Sequence, residues 1–272
     1  MIEEGTVSVP VAGQHLRGTL LAPEKLIPGF LFVHGWGGKQ DDDLDCAEEI
    51  ARLGCLCFTF DLRGHAGSDL QQDQVTRGDG LQDVLAAYDF LASHPLVDRS
   101  AIGVVGVSYG GYLSTLLTTE RPVQWLALRV PALYPDRDWD TPKALLDKKK
   151  VRAYRNRFHT ARRDAALGAC DKFEGDVLIV ESEFDIHVPH TAIASYMGAF
   201  QRANSLSHRV IRGADHAMRA PEYRKIYKTL LLHWVEEMVR TARRSNRQGD
   251  HGRHVAPGVA KVLDPAVFGP PE

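Results

Sequence analysis

The chain has 272 residues, 44% of them hydrophobic and 25% charged, with 33 Lys+Arg against 35 Asp+Glu and a formal net charge of −2. These proportions exclude wholesale disorder, a collagen-like repeat and a disulfide-dense mini-scaffold. The balanced charge argues against a protein devoted to nucleic acid, and the length can bury the core of one large α/β domain or two small ones.

Residues 7–11 and 14–21 read as two opening strands joined at Gly13. Residues 30–33 are a short apolar run that ends in His34-Gly35-Trp36-Gly37-Gly38. Residues 42–53 have helical spacing through Leu44, Ala47, Ile50 and Ala51, with Gly54 as the residue that closes the helix. Residues 55–60 are a buried strand that places Cys55 and Cys57 on one face, where core packing is their expected role. A second helix covers 79–93, a strand 101–107 and a third helix 109–119. Strands at 123–130, 177–181 and 207–211 follow, with helices at 191–202 and 222–240.

After the first two strands, β and α alternate. That order predicts a mostly parallel sheet with helices on both faces and right-handed crossovers. Two stretches break the rhythm. Residues 131–174 are too long and charged for a plain connection, and they are expected to form a small helical lid over the C-terminal edge of the sheet. Residues 242–272 are polar, then Pro/Gly-rich, and read as a tail after a single domain at 1–241.

The acidic opening Met1-Ile2-Glu3-Glu4-Gly5 lacks a basic n-region, and no apolar run approaches the ~18 residues of a membrane span. Cys46, Cys55, Cys57 and Cys170 lack metal-site spacing. A cytoplasmic protein with reduced thiols and no membrane span is therefore expected. No phosphate loop, dinucleotide fingerprint or zinc pattern occurs, so no cofactor and no metal are implied.

The strongest signal is Gly106-Val107-Ser108-Tyr109-Gly110, a G-x-S-x-G between a predicted strand and a predicted helix. A sharp strand-to-helix turn there forces the serine into a strained conformation, and the flanking glycines relieve the crowding. The alternative is a small turn residue.

On this motif and its setting, the chain resembles the α/β-hydrolase family from about Val7 to Arg240. The resemblance implies a triad in the order Ser, Asp/Glu, His. Ser108 would be the nucleophile. Asp185 lies in Asp185-Ile186-His187-Val188-Pro189, similar to the family's acid loop, and His216 ends Gly213-Ala214-Asp215-His216 after the last core strand. Glu183, Asp215, Asp136 and Asp138 are alternatives for the acid; His187 and His190 are alternatives for the base, although solvated loop positions suit both better. The oxyanion donors would be the amides of Tyr109 and Trp36, the second in a segment resembling the family's His-Gly-x-Gly-Gly. His34 would be a structural hydrogen-bonding residue, and the Trp36 side chain either walls a substrate pocket or packs in the core. Residues 61–69 resemble the family's Asp-x-Arg-Gly-x-Gly-x-Ser turn, with Ala66 at a usual glycine, and Ser182 also replaces a usual glycine. No catalysis is assigned to that turn.

The activity implied is that of a cofactor-independent serine hydrolase acting on a small-molecule carboxylic ester of small or medium acyl size, resembling short-chain or cinnamoyl esterases. Thioesterase and peptidase activities use the same triad. A non-catalytic binding protein on the hydrolase fold is the different-class alternative, disfavoured because nucleophile, acid, base and oxyanion loop are all represented. A homodimer is compatible with the fold, but nothing in the sequence marks an interface.

Between residues 143 and 164, nine Lys and Arg stand against Asp147 and Asp164, a local +7. A solvated helix face is the simple reading; attraction of anionic substrates or an acidic surface is the functional one. Residues 240–254 add five arginines against Asp250, or +4, so the remaining residues sum to −13.

Overall fold

The structure, a computed structural model, describes residues 2–11, 13–23, 27–66 and 71–249. Its strands are β1 (Ile2–Val11), β2 (Gln14–Pro23), β3 (Ile27–Val33), β4 (Leu56–Phe60), β5 (Val97–Val107), β6 (Trp125–Arg129), β7 (Asp176–Ser182) and β8 (Ser205–Ile211). They form one sheet in the order β1-β2-β4-β3-β5-β6-β7-β8. Pairing is antiparallel for β1 with β2 and β2 with β4, and parallel from there to β8.

The central strands are apolar throughout because both faces are covered. In β3, Leu31 and Val33 face one core while Phe30 and Phe32 face the other. The first core packs against α2 (Arg77–Ser93), α3 (Tyr109–Leu117), α5 (Ala165–Lys172) and α6 (His190–Ala199); the second packs against α1 (Asp41–Arg52) and α7 (Pro221–Gly249). α7 contributes Tyr227, Leu231, Trp234, Val235, Met238 and Val239, a stripe at helical spacing. Cys46, Cys55 and Cys57 are buried in this second core.

Two boundaries differ from the sequence expectation. The excursion after β6 is shorter than 131–174, because α5 buries Ala166, Leu167, Ala169 and Cys170 in the body. Parallel neighbours β6 and β7 need a crossover helix, and α5 fills that role. The cap proper is left with 3-10 turns at Lys143–Leu145 and Ala161–Arg163 and with α4 (Lys148–Arg155). The last helix also runs nine residues beyond Arg240, to Gly249, so the expected tail begins as helix. Residues 250–272 lie outside the described residues, as do Gly67, Ser68 and Asp69 of the charged turn.

That turn is structural. Arg63 and Asp83 are both buried, with Arg63 Nε donating to Asp83 Oδ1 at 2.6 Å and the Arg63 amide to Oδ2 at 2.9 Å. Burial pushes the Asp83 carboxyl up to about 6, although Arg63 pulls it the other way. Asp79, in the first turn of α2, adds a second carboxylate to Arg63 and completes a capping box with Thr76. Asp61 accepts from the Gln40 amide at 2.8 Å and so ties the end of β4 to the start of α1.

Removing one partner of a buried ion pair strands the other charge. Asp83→Ala is therefore expected to lower unfolding free energy by about 3–5 kcal/mol. Asp89→Ala, at the exposed Arg121 pair, should cost about 1 kcal/mol or less in the same urea titrations.

Candidate active site

β5 passes into α3 at Ser108, whose φ of 52° is in the left-handed region. A side chain so placed costs of order 1–3 kcal/mol unless its surroundings enforce it. They do. The Ser108 amide donates to Arg129 O at 2.9 Å, and its carbonyl accepts from Ala132 N at 2.8 Å and Tyr112 N at 3.1 Å. The two motif glycines are required sterically: a Cβ at Gly110 would sit 2.0 Å from Val33 O, and one at Gly106 would sit 2.5 Å from Ser114 Oγ.

The turn lifts Ser108 toward the loops after β7 and β8. His216 Nε2 lies 3.1 Å from Ser108 Oγ, and His216 Nδ1 lies 2.5 Å from Asp185 Oδ2. Ionised Asp185 can only accept, so Nδ1 carries the proton and Nε2 is left to accept from the serine hydroxyl. Asp185 Oδ1 takes the amides of His187 at 2.7 Å and Val188 at 2.8 Å. Burial alone would raise the Asp185 carboxyl, but the His216 hydrogen bond and charge, with those amides, hold it below the usual carboxylate range.

The other acids are occupied elsewhere. Asp136 accepts from Ala165 N, Glu183 from Gly213 N, and Asp215 pairs with Arg219. Asp138 lies 3.8 Å from Arg137. His190 is bound to Glu181 at 2.8 Å. His187 is exposed, as a solvated loop position would be, with its ring centroid 5.1 Å from that of His216. Partial desolvation and His216 lower its affinity for a proton.

On the other side of Ser108, a Cβ at Gly35 would sit 3.4 Å from Ser108 Cβ, so the loop after β3 passes the serine with room for only about a methyl group between them. His34 uses both ring nitrogens there, Nδ1 donating to Gly35 O at 2.8 Å and Nε2 accepting from Leu62 N at 3.0 Å. Tyr109 is the first residue of α3, where a helix leaves its N–H groups without intrahelical acceptors. The Trp36 ring is half-buried against the core, edge-on to Tyr109 at 5.3 Å and to His65 at 4.8 Å.

Three basic residues around the site escape the sequence patterns. Arg129 ends β6, and its guanidinium donates to His216 O at 2.9 Å. A charge ending the otherwise apolar Trp125-Leu126-Ala127-Leu128-Arg129 was the available signal. Asp43 of α1 acts on Arg129 electrostatically, and burial pushes its carboxyl up to about 7. Arg155 of α4 donates to Leu133 O and His187 O, each at 2.9 Å. Lys143 lies 3.8 Å from the Trp36 ring centroid. Both were hidden inside a run of like charges. A groove of about 580 Å³ between β8 and α7, lined by Leu178, Arg209, Trp234 and Arg240 among others, shares no residue with the Ser108 site.

Residues 47–242 match the prolyl oligopeptidase family. The chain belongs to that family. The sheet order, elbow and loops above are the α/β-hydrolase fold, and the chain spans about a third or less of the length of the curated relatives it matches. Among curated relatives, the thiohydrolase aneE of Aspergillus aculeatus is 30% identical over 115 residues, covering 40% of this chain and 36% of that protein. Est1E of Butyrivibrio proteoclasticus, solved with ferulic acid bound, superposes with a TM-score of 0.64 at 22% identity, covering 85% of this chain and 96% of that one. The acylaminoacyl peptidase of Pyrococcus horikoshii gives 0.65 at 18% identity, covering 88% of this chain and 42% of that one. At these identities the superpositions carry the fold. Among the described residues, no helix is long and apolar enough to cross a membrane.

Because Gly110 presses on backbone that cannot retreat, Gly110→Ala is expected to destabilise by at least about 1–3 kcal/mol. Thermal and urea unfolding of this variant beside the parent chain measure it.

Proposed function

We propose that the protein is a serine hydrolase that cleaves carboxylic esters of small to medium acyl size through an acyl-enzyme. The observation that carries this reading is the unbroken hydrogen-bonded line from Asp185 through His216 to a serine held in the left-handed region. Ser108 Oγ attacks the ester carbon while His216 Nε2 takes its proton; His216 then delivers that proton to the departing alcohol. Asp185 keeps the imidazole in the productive tautomer and stabilises its cation. Water repeats the sequence on the acyl-enzyme and releases the acid.

The tetrahedral oxyanion is assigned to the amides of Tyr109 and Trp36. The close approach of the Gly35 loop to Ser108 supports the second assignment, and the position of Tyr109 at the start of α3 supports the first. The Trp36 ring is assigned to the substrate-facing wall. Its half-exposure, with Lys143 across it, favours a short acyl group on that side. The family match, with a curated relative that is an acylamino-acid-releasing enzyme, favours a second reading, in which the same groups cleave a peptide or acyl–amino acid bond. A panel of nitrophenyl esters, thioesters and aminoacyl amides separates the two by relative kcat/KM.

A fluorophosphonate probe is expected to label the protein covalently, with the label lost in Ser108→Ala. Folded parent protein that takes no label would instead favour a binding module on the same fold. Asp185→Asn should bind substrate yet lower kcat by about four orders of magnitude, because the amide can orient the wrong imidazole tautomer.

Acylation requires neutral His216, whereas Asp185 stays ionised to low pH because its proton affinity is depressed. Single-turnover acylation should therefore fall as the pH is lowered, because a protonated base cannot take the Ser108 proton. A rate that does not fall with pH would contradict the role given to His216.

A further inference from the structure

One cation at the site has no counter-charge among the described residues. Lys143 opens the first 3-10 turn of the cap, where its amide donates to Val75 O at 2.8 Å. Lys148, Lys149 and Lys150 are exposed, but the Lys143 side chain turns inward. Its Nζ lies 3.8 Å from the ring centroid of Trp36, 5.1 Å from that of Tyr109 and 5.8 Å from that of Tyr134. Trp36 and Tyr109 are the two residues whose amides the ester-hydrolase reading assigns to the oxyanion. The ammonium therefore stands against the aromatic rings of Tyr109, which follows Ser108 in the chain, and of Trp36 in the loop after β3.

Among the described residues, none of the charges acting on it is negative. The charged groups that act on it are Arg155 and Lys148 of α4 and Arg77 of α2. His65 is pushed down to about 4 by burial and then by His34, and its Nε2 is buried without a hydrogen-bond partner among the described residues. Among the described residues, no Asp or Glu forms an ion pair with Lys143. Burial, followed by Arg155, Lys148 and Arg77, pushes the Lys143 ammonium down to about 7. Aromatic faces attract a cation but do not neutralise it. A partly desolvated charge without a partner is unfavourable, and a ligand that brought the opposite charge would relieve the cost.

We propose that Lys143 determines specificity at this site by reading a carboxylate on the substrate, so that anionic esters are preferred over neutral esters of the same shape. The inference rests on the ester-hydrolase reading for its catalytic consequence, while the binding of the carboxylate stands on the ammonium and its surroundings. The exposed cap lysines supply at most a diffuse field. Lys143 supplies a fixed point of recognition.

Two isosteric pairs test this. Monomethyl succinate against methyl 4-methylpentanoate places the charge in the acyl group; 4-acetoxybenzoate against 4-isopropylphenyl acetate places it in the leaving group. The anionic-to-neutral ratio of kcat/KM, followed by titration of released acid, is expected to exceed one for at least one pair. It should fall at least about tenfold in Lys143→Met, recover largely in Lys143→Arg, and be unchanged in Lys149→Gln. Ratios equal in the parent and Lys143→Met for both pairs would overturn the proposal.

Calorimetric titration of Ser108→Ala protein with the same four compounds, with and without Lys143→Met, reads binding alone. Tighter binding of an anionic member that disappears with Lys143 supports the site even if no ester is turned over, a failure that would fall on the hydrolase reading instead. Binding that is absent, or indifferent to Lys143, overturns the site.

Discussion

The site depends on one backbone conformation, the left-handed serine between β5 and α3. Ser108 stays at a φ of 52° because α3 is pressed so tightly against β3 that Gly110 has no room for a side chain. The same turn is fastened sideways to β6, and Arg129 does the fastening twice. Its carbonyl accepts from Ser108 N, and its guanidinium reaches across to His216 O. One residue thus sets the spacing between the strained serine and the imidazole, with the sheet as the common reference. Local strain of this kind persists only where independent contacts over-determine it.

Buried polar and charged groups do the remaining positioning at the strand ends. Arg63 with Asp83 and Asp61 with Gln40 clamp the loops that flank His34, and His34 in turn braces the glycine loop against Ser108. The polar groups inside the fold are concentrated where strands stop and chemistry begins, while the middle of the sheet is apolar on both faces. The charge of the chain follows the same separation. A near-neutral total covers a basic cap set against an acidic remainder, and the one cap lysine turned inward brings positive charge to the aromatic wall.

The fold was legible because its signals are local and periodic. Continuous apolar runs and alternating helices identified the central strands, and G-x-S-x-G announced the strained turn. The three groups Asp185, His216 and Ser108 were expected together and lie within hydrogen-bonding reach. What escaped was non-local. The crossover role of α5 depends on which strands are neighbours, and the cap therefore looked longer in sequence than it is. Arg155 and Lys143 were two members of a run of nine like charges, and only the direction of each side chain separates them from Lys148–Lys150. The continuation of α7 past Arg240 escaped because its polar, Arg-rich end carries no apolar stripe to read.

Arg155 has a mechanical consequence. Its guanidinium spans from the chain just after β6, at Leu133 O, to the acid loop, at His187 O, while its backbone carbonyl accepts from Thr191 in α6. The cap is thereby bolted to the segment that carries Asp185. A ligand that displaced α4 would have to break those bonds, and the displacement would be transmitted to the carboxylate that orients His216. In this architecture occupancy above the site and alignment within it are tied together through one side chain.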